Sequence, residues 1–292
     1  EIRLNDDGNY TLLIGSTDMG TGSDTILAQM AAEVLETNLE HLIVHAADTD
    51  VSPFDPGSYA SSTTYVTGMA VKLAAEELRG KMLEQAAKLL EADGAQISFD
   101  GVKFWSEDGK RRLTVAKLAE RMALGAGCQQ LTGQGTYGSP TSPPPFVAGF
   151  AEVEIDKATG KVTPIDFVAV VDCGTVINPA LARVQTEGGV VQGIGMALYE
   201  EVRYTGQGRL ETCNFMQYKI PCRKDVGNVR VAFEPSYEPT GPFGAKSIGE
   251  AVINTPAPAI AHAVFNATGV QLTQLPLTPE KVLNALLTKK RG

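Results

Sequence analysis

The sequence predicts an α+β protein built from two mixed subdomains, residues 1–142 and 143–292. Three observations lead there. Apolar residues switch between strand-like and helical spacing along the chain, without the strict strand–helix–strand repeat of a parallel fold. The sharpest composition break is Ser139-Pro-Thr-Ser-Pro-Pro-Pro145, whose prolines suit neither a helix nor a central strand. The 292 residues are 43% hydrophobic and 20% charged, the balance of a chain that buries a sizeable core.

The elements follow in order. Residues 1–14 read as two short strands around Asp6-Asp-Gly-Asn9, with the second over Tyr10–Gly15. A chain that opens inside a hairpin reads as a piece of a longer protein. Ile26, Leu27, Met30, Ala31, Val34 and Leu35 recur at helical spacing, which predicts a helix over Ser23–Glu36. Leu42–Ala46 is a short apolar strand. A long helical pattern runs from about Ser62 to Leu90, with a break expected at Gly80. Ile97–Phe99 and Val102–Trp105 flank Asp100-Gly101, a hairpin signal. A helix over Thr114–Met122 closes the first half.

The second half restarts as a meander. Phe150–Ile155 and Val162–Val171 flank the turn Asp156-Lys-Ala-Thr-Gly160. Asn178-Pro179 opens a helix, with Asn as N-cap and Pro at the first position, reaching about Glu201. Phe215–Ile220 and Val229–Phe233 are expected strands. Thr255-Pro256 starts an Ala-rich helix that ends near Gly269, and Thr278-Pro279 starts the last one.

Composition excludes several functions. Lys and Arg number 25 against 34 Asp and Glu, for a net charge of −9, which argues against nucleic acid as a partner. No run of apolar residues is long enough for a membrane span. Cys128, Cys173, Cys213 and Cys222 contain no Cys-x-x-Cys pair, so zinc ribbons and iron–sulfur ligation find no support. They read as reduced thiols of a cytoplasmic protein. His41, His45 and His262 read as structural, not as metal ligands, and Cys173 as packing.

Four stretches carry chemistry. Gly15-Ser-Thr-Asp-Met-Gly20-Thr-Gly22-Ser-Asp-Thr25 follows a strand and opens a helix. Its glycines let backbone N–H groups approach an anion at the positive helix end, though a tight capped turn fits as well. Neither a P-loop nor a full dinucleotide fingerprint is present. Ala60-Ser61-Ser62-Thr63-Thr64 places small and hydroxyl residues before a helix, more donors than one N-cap needs. Gly188, Gly189, Gly193 and Gly195 fall inside a helical pattern, at about 1 kcal/mol each relative to alanine. Close approach of another backbone or of a flat ligand would offset that, and Gln192 stands among them. Gly249-Glu250 sets a carboxylate after a glycine among apolar residues, a candidate general base, with Lys246 as a partner for it or for an anionic ligand.

Taken in order, these stretches resemble the molybdenum-binding region of the xanthine dehydrogenase/aldehyde oxidase family. The succession is Asp18-Met-Gly-Thr-Gly22, Ala60-Ser-Ser-Thr63, Asp172-Cys-Gly-Thr-Val-Ile-Asn-Pro179, Glu187-Gly-Gly-Val-Val-Gln-Gly-Ile-Gly195, Tyr218-Lys-Ile-Pro221, Ala245-Lys-Ser-Ile-Gly-Glu250 and Thr278-Pro-Glu-Lys281. It covers nearly the whole chain and corresponds to the C-terminal half of the family's molybdenum subunit. Thr21 stands where the family usually carries Gln.

The resemblance implies that both subdomains bind molybdopterin. Gly20, Thr21, Gly22, Ser23, Ala60, Ser61, Ser62, Thr63, Gln192 and Gly249 would contact the cofactor, in its plain or cytosine dinucleotide form. The metal would be held through the pterin dithiolene, without protein ligands. Glu250 would act as base in hydroxylation of a purine, N-heterocycle or aldehyde, with water as the oxygen source. Electrons would pass to iron–sulfur and FAD domains or subunits. The implied partners are the N-terminal half of the subunit, those electron carriers and a small-molecule substrate, in an oligomer. This piece alone is expected to be inactive. The alternative is an excised or non-catalytic module that stays empty.

Overall fold

The computed structural model describes residues 1–124 and 128–289. The chain divides into two units: Glu1–Pro143 with Tyr237–Ser247, and Pro144–Ser236 with Ile248–Gly292. Sequence reading keeps 143–292 in one piece, but the contacts return Tyr237–Ser247 to the first unit. Hydrogen bonds from Tyr65 and Tyr137 to Thr240 hold that return segment there.

In the first unit, β1 (Ile2–Leu4) and β2 (Tyr10–Ile14) form the expected hairpin, antiparallel with Leu4 opposite Tyr10. β3 (Leu42–Ala46) pairs parallel with β2, and the short β7 (Thr132–Gly133), which no sequence signal announced, pairs with β1. The sheet order is β3-β2-β1-β7. α1 (Ser23–Leu35) provides the parallel crossover from β2 to β3. α2 (Gly68–Leu89) packs against α1, and Leu27, Met30, Leu35, Leu78 and Met82 are buried. Gly80 does not break α2. Its position faces open space, so it only weakens a helix that packing holds together. A second sheet, β4 (Ile97–Phe99), β5 (Lys103–Ser106) and β6 (Arg112–Thr114), precedes α3 (Val115–Leu124). Asp100 caps its first turn by accepting the N–H groups of Val102 and Lys103.

In the second unit, β8 (Phe146–Asp156) and β9 (Lys161–Asp172) form a long antiparallel pair, and β10 (Asn228–Phe233) adds parallel to β9. α4 (Pro179–Leu198) starts as read, since Asn178 Oδ1 accepts the Leu181 N–H at 3.0 Å. α5 (Pro256–Thr268) ends at Gly269 in the left-handed conformation, and α6 (Pro279–Lys289) follows. Phe167, Ala169 and Val171 of β9 meet Val190, Ile194, Ile260 and Val264 in the core, and Cys173 packs with them. Residues 215–220 are not a strand. Asn214 curls them into turns: its side chain accepts the Met216 N–H at 2.9 Å and its carbonyl accepts those of Gln217 and Tyr218. Among the described residues no helix is long and apolar enough to cross a membrane.

Candidate functional site

The first unit brings two of the singled-out stretches together. Gly15 abuts the loop before Ala60 so closely that a methyl group on it would lie 2.1 Å from the Pro53 carbonyl oxygen. From there the chain turns through Gly20 (φ 92°) and Gly22 (φ 77°), left-handed conformations that glycine adopts freely. The anion expected at this helix end is the chain's own. The Asp18 carboxylate accepts the N–H groups of Gly20 at 2.8 Å, Gly22 at 3.2 Å and Asp24 at 3.3 Å. Burial pushes this carboxyl up, but the amides of Gly20, Asp24, Gly22 and Thr21 outweigh it and hold Asp18 below the usual range. Asp24 is pushed the other way, by burial and by the charge of Asp18. Thr21 is exposed. The Ser16 and Ser23 hydroxyls are buried, each side chain 2% accessible, and neither has a hydrogen-bond partner among the described residues.

Ala60 (φ 51°) and Ser61 (φ 57°) are consecutive non-glycine residues in the left-handed region. Such backbone costs of order 1–3 kcal/mol per residue and collects at functional sites. Thr63 spends its hydroxyl on Ser58 Oγ at 2.8 Å, and Ser62 is half-buried. Residues Thr63–Thr67 form one wide helical turn before α2, a feature often found beside binding sites.

That turn delivers a residue the sequence reading missed. Tyr65 is buried and its hydroxyl donates to Thr240 Oγ1 at 2.6 Å, since Thr240 in turn donates to Glu238 Oε1 at 2.6 Å. Ser139 Oγ lies 3.2 Å from the same phenol, and the Tyr137 ring meets it edge-on at 6.2 Å. One side chain thus ties the turn after Ala60–Thr63 to the Pro-rich stretch and to the return segment. Tyr65→Phe is expected to cost about 1 kcal/mol in a denaturant titration followed at the first unit, the net worth of one such bond. Lys246 is also buried in this unit, where its charge contributes to holding the Glu238 carboxyl low; the Thr240 hydroxyl and amide contribute more.

In the second unit, α4 explains three of its glycines by contact. A methyl on Gly189 would lie 2.3 Å from Val252 Cγ2, one on Gly193 2.6 Å from Pro256 Cγ, and one on Gly195 2.1 Å from Glu200 Oε1. The tight turn Ala251–Asn254 therefore packs directly on the α4 backbone, with Val252 wholly buried. Glu250 stands at the N-cap position of that turn without a side-chain capping bond and is exposed, after half-buried Gly249. Gly188 is different: a methyl there would meet nothing within 4 Å. Gln192, one turn further along the same face, is exposed and its amide has no partner among the described residues.

The donor set suits a pterin carrying phosphate. The glycine at 188 leaves bare helix backbone that no group of the unit fills, beside an unpaired amide able to donate and accept. Exposed hydroxyl and amide groups, with no metal-holding cluster of His, Cys, Asp or Glu among the described residues, are compatible with a cofactor that brings its own metal ligands. Gly20, Thr21, Gly22, Ser23 and Ala60–Thr63 belong to the first unit; Gln192, Gly249 and Glu250 belong to the second.

Comparison with known proteins shows the family. A family model described as a molybdopterin cofactor-binding domain matches residues 1–227. The chain is 39% identical over 288 residues to "Probable hypoxanthine oxidase XdhD" of Escherichia coli K12, covering 98% of this chain and 30% of that protein. It is 34% identical to the xanthine dehydrogenase molybdenum-binding subunit of Escherichia coli O157:H7, covering 96% and 38%. Quinoline 2-oxidoreductase from Pseudomonas putida 86 superposes with a TM-score of 0.88 at 28% identity, over 98% of this chain and 38% of that one. The chain thus spans about a third of the length of the curated relatives it matches. With the family model matched over most of its length and such relatives beside it, the chain belongs to the molybdopterin cofactor-binding domains of xanthine dehydrogenase and aldehyde oxidoreductase type.

Proposed function

We propose that this chain forms one wall of a molybdenum hydroxylase site and works together with the N-terminal half of the subunit. The observation that carries this reading is the bare stripe at Gly188 and Gln192. A glycine inside a helix costs about 1 kcal/mol relative to alanine, and at 188, unlike at Gly189, Gly193 and Gly195 of the same helix, no described residue packs close enough to require it. A flat ligand lying against α4 would. Gln192 then binds the pterin, while Thr21 and the Ala60–Ser62 stretch supply hydroxyl and amide donors to pterin and phosphate, in the plain or cytosine dinucleotide form; Ser23, buried at 2% accessible, and Thr63, whose hydroxyl donates to Ser58, do not present their hydroxyls to it. Gly249 lets the cofactor approach the backbone before Glu250.

When bound, the cofactor would supply the redox centre that takes the hydrogen of the substrate's C–H bond together with that bond's electron pair. The chain's own part is positional and acid–base. Glu250 accepts a proton on a carboxylate oxygen from the water-derived nucleophile as it attacks an electron-poor carbon of a purine, N-heterocycle or aldehyde. The turn Ala251–Asn254, clamped to α4 through Val252, fixes the backbone from which Glu250 projects. Iron–sulfur and FAD partners take the electrons onward, in a cytoplasmic oligomer.

Molybdenum and released pterin per chain, measured on this polypeptide alone and after co-expression with a matching N-terminal half, test the reading. Metal and pterin only in the co-expressed sample support a shared site; neither in either sample favours an empty module. In the loaded assembly Gln192→Ala is expected to lower cofactor content severalfold, and unchanged content would show that Gln192 does not bind it.

A further inference from the structure

We propose that Asp18 is a positioning residue, an internal anion that holds residues 18–24 in the form the cofactor meets. This rests on the functional reading above. Three observations carry it. The N-cap of α1 is Gly22, which has no side chain to cap with. Asp18, four residues upstream, takes over that task and accepts three backbone N–H groups within 3.3 Å. It does so although Asp24 Oδ1 is buried nearby without a hydrogen-bond partner among the described residues, so two carboxylates share one small region. Like charges repel there, and the amide bonds are what keep Asp18 in place.

The assignment changes what this loop does. The N–H groups of Gly20, Gly22 and Asp24 are already engaged by Asp18, so these three are not the phosphate cradle that a glycine-rich turn before a helix suggests. The cofactor meets the outward side of the loop, where Thr21 is exposed and Gly20 leaves open space. The carboxylate beneath keeps those groups ordered before the cofactor arrives, which lowers the ordering cost of binding.

Asp18→Gly tests this on two levels. In the chain alone, amide hydrogen exchange at Gly20, Gly22 and Asp24 is expected to speed up roughly tenfold, the effect of a lost helix cap, while amides near Leu35 keep their rates. Sulfate added to the variant is expected to slow those three amides again by filling the vacated nest, and to leave the wild type unchanged. A residue that merely packs would show no such rescue. In the assembly co-expressed with the N-terminal half, cofactor content is expected to fall severalfold. Unchanged exchange in Asp18→Gly, or no sulfate rescue, overturns the internal-anion role. Faster exchange with full cofactor content overturns the positioning role. A wild-type assembly without cofactor overturns the functional reading and the positioning role with it, while the exchange result still stands for the cap.

Discussion

Glu250→Gln is expected to remove turnover from the assembled enzyme by a factor of about 10²–10⁴, the range that a positioned general base contributes, while molybdenum and pterin content stay at the wild-type level. The amide keeps the shape and the hydrogen-bonding reach of the carboxylate but takes up no proton at working pH. The backbone supports a clean test. Glu250 precedes a turn whose Val252 is wholly buried against Gly189, so the substitution leaves the packed part untouched. Because the side chain is exposed, stability by denaturant titration should move by less than ~0.5 kcal/mol. Substrate turnover at saturation, set beside metal and pterin analysis of the same sample, is the measurement. A variant that keeps normal turnover would remove Glu250 from the chemistry. One that loses metal together with turnover would make its role structural.

Much of this was legible in the sequence, for identifiable reasons. Asn178-Pro179 and Gly269 bracket helices because capping and left-handed φ are local chemistry, written in the residues themselves. The β1–β2 hairpin and the β8–β9 meander were readable for the same reason: tight turns use few residue types. The strand predicted at Phe215–Ile220 failed because apolar content suggested a sheet, while Asn214 immediately before it offered its side chain and carbonyl to a turn. The break expected at Gly80 failed because propensity is a weak force beside the packing of α2 on α1. At the site, the sequence reading leaves the glycine-rich loop open between an anion site and a tight capped turn, and Asp18 has no part in either. The Asp-x-Gly-x-Gly spacing of Asp18, Gly20 and Gly22 is a side-chain-to-backbone turn signal that this reading passes over. Tyr65 could not have been found. Its partners lie 74 to 175 positions away, and no local pattern marks such a contact.

The glycines of α4 give the second large effect, and they give it with opposite signs. Gly193→Ala is expected to destabilise the second unit by about 1–3 kcal/mol, the cost of overpacking a close contact. Its methyl would lie 2.6 Å from the Pro256 ring and 2.8 Å from the Ile253 carbonyl oxygen. Neither neighbour is a flexible side chain that can rotate away, so the turn Ala251–Asn254 must lift from the helix. That motion carries Glu250 with it, and turnover of the assembled enzyme should fall further than stability alone explains. Gly188→Ala, five residues earlier on the same helix, meets open space and is expected to stabilise the unit by about 0.5–1 kcal/mol, since alanine is the better helix former. If the bare backbone at 188 serves a flat cofactor, this stabilised variant should nonetheless hold less pterin, because the methyl stands in the cofactor's place. Denaturant titration of both variants, with metal and pterin content of each assembly, separates the two roles. A Gly188→Ala protein that is more stable and fully loaded would show that this glycine serves nothing outside the chain. One that is more stable and poorly loaded would show a helix position kept weak because the ligand needs the room.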